Sequence, residues 1–256
     1  MTAFKTDVPA HPFNIVLANP THNSMTVTVV CHETDACEGY IEYRHEQAAP
    51  ITRSTMQPLP TGKMVPFVLE HLSPDTPYTY RFRYRRVADG KSPAGEFRSS
   101  GYYGFRTPRD PGGAFTFVIQ ADSHLDQGVE PKAYAQTLAN MLEAKPDFVI
   151  DLGDTFMTDK RGRDFTQALP QYDAQRYYFG LVAHSAPLFM VLGNHDGEKG
   201  TSGTNDDDIG PWSYAQRTSR FPPPVIDGTN YTGSTGMKDG VGSNYYAFVW
   251  GDAQII

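Results

Sequence analysis

At 256 residues the chain has room for one large domain or two smaller ones. Its formal charge of −7, from 22 basic and 29 acidic side chains, argues against a basic nucleic-acid groove, because duplex binding rests on Lys and Arg neutralising phosphates. No apolar run approaches the roughly 20 residues of a membrane-spanning helix, and residues 1–12 lack the apolar stretch that a signal peptide would show.

From residue 13 to 107 short runs rich in β-branched and aromatic residues follow one another: 13–17, 25–30, 40–44, 65–69, 78–84 and 102–106. Several alternate, as in Met25-Thr26-Val27-Thr28-Val29, which suits strands with one buried and one wet face. Turn signals such as Ala18-Asn19-Pro20 and Ala88-Asp89-Gly90 separate them. An all-β sandwich of about 100 residues is expected. Within it, Leu72-Ser73-Pro74-Asp75-Thr76-Pro77-Tyr78 resembles the L-x-P-x-T-x-Y corner of fibronectin type III domains. Such domains usually carry an early Trp; here none precedes Trp212, and Val27 and Val29 are expected to fill the space. Cys31 and Cys37 match no zinc pattern, and both a disulfide and a pair of thiols remain open.

Residues 108–113, Pro-Arg-Asp-Pro-Gly-Gly, read as a linker by composition. The expected division is therefore 1–107 for the sandwich, 108–113 for the linker and 114–256 for a second domain.

In that second domain three apolar runs, 115–121, 148–152 and 188–192, each end in a polar cluster: Asp122-Ser123-His124, Gly153-Asp154 and Gly193-Asn194-His195-Asp196. Helical spacing lies between them, with Leu138, Met141 and Leu142 as the core stripe of one helix and residues 172–183 as a second. The pattern reads as β-α-β-α-β with a parallel sheet, whose ligand site lies beyond the carboxyl ends of the strands. Asp154 lies 32 residues after Asp122 and Asn194 a further 40, each enough for a βαβ unit of roughly 30 or more. The clusters bring together carboxylate, imidazole and amide donors, a set that suits Mn, Fe or Zn and uses no cysteine. Ser123 is expected to point away, so that Asp122 and His124 face one ion.

These motifs, D-x-H, G-D and G-N-H-[DE], each after a strand, resemble the calcineurin-like metallophosphoesterase superfamily over residues 114–256. A fibronectin-like module ahead of such a domain is similar to the layout of purple acid phosphatases and their relatives. The resemblance implies a dinuclear metal site in an α/β domain with α/β/β/α layers, incomplete at its C-terminal side, and hydrolysis of a small-molecule phosphate ester. By that resemblance Asp122 and His124 hold the first ion, Asp154 bridges both, and Asn194 binds the second through its amide oxygen. His195 is the candidate acid or transition-state stabiliser, and Asp196 is expected to orient its ring. Met157 stands where purple acid phosphatases carry a tyrosine ligand, and His124 where they carry glycine, which points to the wider superfamily.

Asp126, Asp151 and His184 are read as surface, structural and structural residues. Asp206-Asp207-Asp208 lacks the alternating spacing of a calcium loop. The resemblance implies further histidine ligands, yet none follows His195, so a longer natural polypeptide and weak activity of this chain are expected. The alternative is a non-catalytic binding protein with a degenerate phosphatase-like domain.

Overall fold

The computed structural model describes residues 4–45, 49–88, 92–198, 209–238 and 241–256. The first part is a β-sandwich. One sheet has the order β1-β2-β6, from Phe13–Thr21, Ser24–Cys31 and Met64–Leu69. The other has the order β4-β3-β7-β8, from Thr52–Arg53, Cys37–Arg44, Pro77–Ala88 and Ser92–Ser99. On this second sheet β5 (Gln57–Leu59) also pairs with β3, and β9 (Tyr103–Arg106) with β7. The inward faces bury Leu17, Val27, Ile41, Phe67 and Phe82 in one core. Val27 and Val29 are both fully buried there.

The corner works as its sequence implies. Ser73 N–H donates to the Tyr78 hydroxyl at 2.8 Å, and the Tyr78 ring stacks on Phe105 with centroids 5.4 Å apart. Two local readings change. Ala18-Asn19-Pro20 is not a turn between strands but an irregularity inside β1: Asn19 has φ +50° and the register shifts between Ala18 and Thr21. The strand β8 was not anticipated, because Ser-Pro-Ala-Gly-Glu-Phe-Arg-Ser shows no alternation; pairing with β7 makes it a strand. Asp89 and Gly90 of the second expected turn, and Asp206-Asp207-Asp208, lie outside the described residues. Cys31 and Cys37 are both buried free thiols, and burial pushes the Cys37 thiol up to about 12.

The second part is layered α/β/β. Strands β10 (Phe117–Gln120), β11 (Phe148–Asp151) and β12 (Leu188–Met190) form a parallel sheet in that order. Helix α1 (Pro131–Glu143) connects the first pair. A 3₁₀ segment (Thr158–Ala168) and α2 (Leu169–Ala183) connect the second. Val149, Leu188 and Met190 face the helices with Leu138, Phe179 and Val182. Phe148 and Phe189 face the other way, onto Phe248 and Trp250. Behind them, α3 (Ile209–Thr218) precedes β13 (Tyr231–Ser234), the short pair β14 (Met237–Lys238) and β15 (Val241–Gly242), and then β16 (Tyr245–Trp250) and β17 (Ala253–Ile255). The antiparallel sheet β13-β16-β17 makes the third layer.

The two parts pack closely. Strand β1 buries Ile15 and Leu17 in the sandwich and Val16 in the core beneath α2, so both its faces are covered. Arg176, 1% exposed, fixes the contact: Nε donates to Asn14 Oδ1 at 2.8 Å, Nη2 to Thr28 O and Oγ1 at 2.9 Å, and Nη1 to Arg220 O. His184 is structural, with its Nδ1 2.8 Å from Gly180 O and its ring against Tyr103. The Pro/Gly segment 108–113 is anchored to the second part rather than loose, through Arg109 on Asp147 and Gly112 N–H on Asp252.

Candidate metal centre

The parallel strands end side by side, and the polar clusters leave from those ends. Asp122 N–H donates to Gly153 O at 3.0 Å, tying the first loop to the second. Gly153 and Gly193 pack face to face: a Cβ on Gly153 would lie 2.0 Å from Gly193 N, and one on Gly193 would lie 2.2 Å from Asp154 N. Glycine at both positions is what lets the backbones meet. His195 N–H then donates to Asp154 Oδ1 at 2.8 Å, so the third loop wraps the second loop's carboxylate.

Asp122, His124 and Asp154 each offer a ligand atom, and these atoms all lie within 4.8 Å of one another. Two carboxylates and an imidazole at that spacing suit a first-row divalent ion, which takes such donors at about 2.0–2.2 Å. The Asp122 side chain is 64% exposed, so the cluster opens to solvent. Ser123, 7% exposed, is turned inward and accepts from Gln175 Nε2 at 3.0 Å. Asp126 lies nearer the cluster than a surface role implies, with Oδ2 3.5 Å from His124 Nδ1; its other oxygen accepts from Gly128 N–H. Asn194 is exposed on the turn between Gly193 and His195, both of which touch Asp154.

One expected role is overturned. Asp196 does not orient the His195 ring. Its carboxylate, 2% exposed, accepts four backbone N–H groups: Asp154 at 3.0 Å, Thr155 and Phe156 at 2.9 Å, and Gly193 at 2.8 Å. Alternating direction along the G-N-H-D turn sends it inward, where it pins the second loop to the third. Burial pushes its carboxyl up, against the pull of those N–H groups. The partner of His195 is instead Asp159, whose Oδ2 lies 2.8 Å from Nδ1. Asp159 sits on the 3₁₀ segment, and its N–H also reaches His195 O at 3.4 Å. The sequence offered only its place in the loop after Gly153-Asp154, which does not distinguish it from Asp164.

Asp151 is fully buried beneath the site, holding Thr155 Oγ1 at 2.6 Å and Gln120 Nε2 at 3.2 Å, the structural role its strand position implies. Burial raises its carboxyl to about 7. Met157 is buried and offers no oxygen donor. Glu198 and Arg217, both 1% exposed, pair at 2.5 Å and anchor the far end of the third loop.

The calcineurin-like phosphoesterase sequence profile matches residues 115–252, more than half of the chain. The chain belongs to the calcineurin-like phosphoesterase family. Two solved structures resemble it across both parts. A purple acid phosphatase from yellow lupin (Lupinus luteus) seeds superposes with a TM-score of 0.60 at 18% identity, covering 84% of this chain and 41% of that one. PhoD superposes with a TM-score of 0.59 at 15% identity, covering 96% of this chain and 51% of that one. At these identities the likeness is one of fold, and the chain spans about half or less of each protein's length. No curated protein sequence gives a significant match. Membership in the family agrees with the order of the three motifs and with the strand ends that carry them. Among the described residues no helix is long and apolar enough to cross a membrane.

Proposed function

We propose that the chain carries the metal site of a dinuclear phosphoric ester hydrolase, acting on small-molecule phosphate esters. The reading divides the chain into a sandwich over 1–107, a connecting segment over 108–113 and the phosphoesterase domain over 114–256. The observation that carries it is the convergence of Asp122, His124 and Asp154 at the ends of adjacent parallel strands. Asp122 and His124 would hold one ion, Asp154 would serve both, and Asn194 would serve the second. When bound, the Mn, Fe or Zn ions supply Lewis-acid polarisation of the phosphoryl oxygens and activation of water.

The chain's own residues do the rest. A carboxylate only accepts, so Asp159 fixes the proton of His195 on Nδ1 and leaves Nε2 as the nitrogen facing substrate. In its protonated form that ring donates to the leaving or a non-bridging oxygen as charge builds there. Asp196 does not touch the ring; it keeps the Asp154 and His195 loops in register. The Ser123 hydroxyl is turned inward onto Gln175 and takes no part in the proposed chemistry.

Assay of chromogenic phosphate mono- and diesters with added Mn, Fe or Zn tests this reading. Hydrolysis is expected to require metal, to stop with chelator, and to fall in Asp159→Ala, which removes the partner that holds the His195 ring. Metal bound with no turnover of either ester class would instead favour a binding protein built on a phosphatase scaffold.

A further inference from the structure

The loop carrying Asp122 and His124 holds three non-glycine residues at positive φ: Asp122 at 58°, His124 at 29° and Leu125 at 56°. Such backbone is strained for non-glycine residues and persists only where surrounding contacts over-determine it. Three of those contacts come from the phosphoesterase domain itself. Asp122 N–H donates to Gly153 O, Gln171 Nε2 donates to His124 O, and Gln175 Nε2 donates to Ser123 Oγ. The remaining contact comes from the other end of the sequence. Lys5 N–H donates to Leu125 O at 2.6 Å, and the Lys5 ammonium donates to Val129 O.

The neighbours of Lys5 reach the same region. The Arg161 guanidinium lies 4.3 Å from the centroid of the Phe4 ring, on the 3₁₀ segment that also carries Asp159. Val8 packs against the helix-side core, and the chain then enters β1. Residues 4–8 therefore touch both the loop that presents His124 and the segment that presents the partner of His195.

We infer that residues 4–8 form a strap that sets the geometry of the metal centre, with Lys5 as a positioning residue for His124. Leu125 follows His124 directly, so the Lys5 contacts to Leu125 O and Val129 O hold the chain just beyond His124, while Gln171 holds the His124 carbonyl itself. The ammonium has three donors and no acceptor, and a loop carbonyl such as Val129 O is the partner it needs. Because the strap runs into β1, which is buried between sandwich and α2, the sandwich is mechanically joined to the metal loop. The inference rests on the metal reading of Asp122, His124 and Asp154.

The test is Co²⁺ titration followed by the visible d–d absorption, comparing the chain with Lys5→Met, Lys5→Arg, Lys5→Pro and Asp122→Asn, each checked for folding by circular dichroism. Lys5→Met, which removes the ammonium contact to Val129 O but keeps the main-chain bond to Leu125, is expected to bind Co²⁺ more weakly, with an altered band, while Lys5→Arg keeps both affinity and band. Equal binding by Lys5→Met and the unchanged chain overturns the role given to the ammonium, and equal binding by Lys5→Pro, which also lacks the N–H that reaches Leu125 O, overturns the strap, provided Asp122→Asn binds weakly. Equal weakening in Lys5→Arg overturns the role given to the ammonium. If the unchanged chain binds no Co²⁺, or Asp122→Asn binds as well as it does, the metal reading falls and the strap with it.

Discussion

Asp154→Asn is expected to abolish metal-dependent hydrolysis while leaving the fold intact. The asparagine keeps an oxygen for His195 N–H, now 2.8 Å from Asp154 Oδ1, and fills the same volume against Gly193. What it removes is the negative charge of Asp154 and one of the three donors that lie within 4.8 Å of one another. Losing an outer partner of a ligand costs up to about 100-fold in metal affinity, so losing this ligand's charge should cost at least that. Metal content by atomic emission, chromogenic ester turnover and a chelated melting curve together check it. Unchanged metal content and turnover would remove the basis of the enzyme reading.

Asp196→Ala is expected to have the largest effect on stability. It leaves the N–H groups of Asp154, Thr155, Phe156 and Gly193 without their acceptor in a site where Asp196 is only 2% exposed. Each orphaned buried donor costs roughly 1–3 kcal/mol, partly recovered as water enters the vacated space, so a loss on the order of 4 kcal/mol follows. That is a large part of the roughly 5–15 kcal/mol by which domains are stable. Asp196→Asn separates the two roles considered for this residue. Its amide keeps an oxygen for Thr155 and Phe156 but turns an NH₂ toward the N–H groups of Asp154 and Gly193. Denaturant unfolding should therefore show a clear loss in Asp196→Asn as well. A variant as stable as the parent, with only its pH–rate profile shifted, would restore Asp196 as the orienter of the His195 ring.

Much of the fold was legible because its signals are local. Alternation placed six strands of the sandwich, the L-x-P-x-T-x-Y corner placed Tyr78, and the three polar clusters after apolar runs placed Asp122, His124 and Asp154 at neighbouring strand ends. What was missed depends on contacts between residues far apart along the chain. Arg176 meets Asn14 and Thr28 across the two parts, and no periodicity marks a helix residue for a partner that distant. Strand β8 exists because β7 offers it an edge, not because its own residues favour it. Asp159 stands in the role expected of Asp196 for a similar reason. Adjacency to His195 suggested Asp196, but the turn sends that carboxylate into the interior, while a 3₁₀ segment delivers Asp159 to the ring. Lys5 lies before every motif and shows its function only through Leu125 and Val129.

The most direct test of the shared metal centre is anomalous diffraction from crystals grown with Mn²⁺. The account predicts a peak bounded by Asp122, His124 and Asp154, at about 2.0–2.3 Å from a donor atom of each. Manganese bound elsewhere, or a peak that Asp154 does not touch, would contradict it.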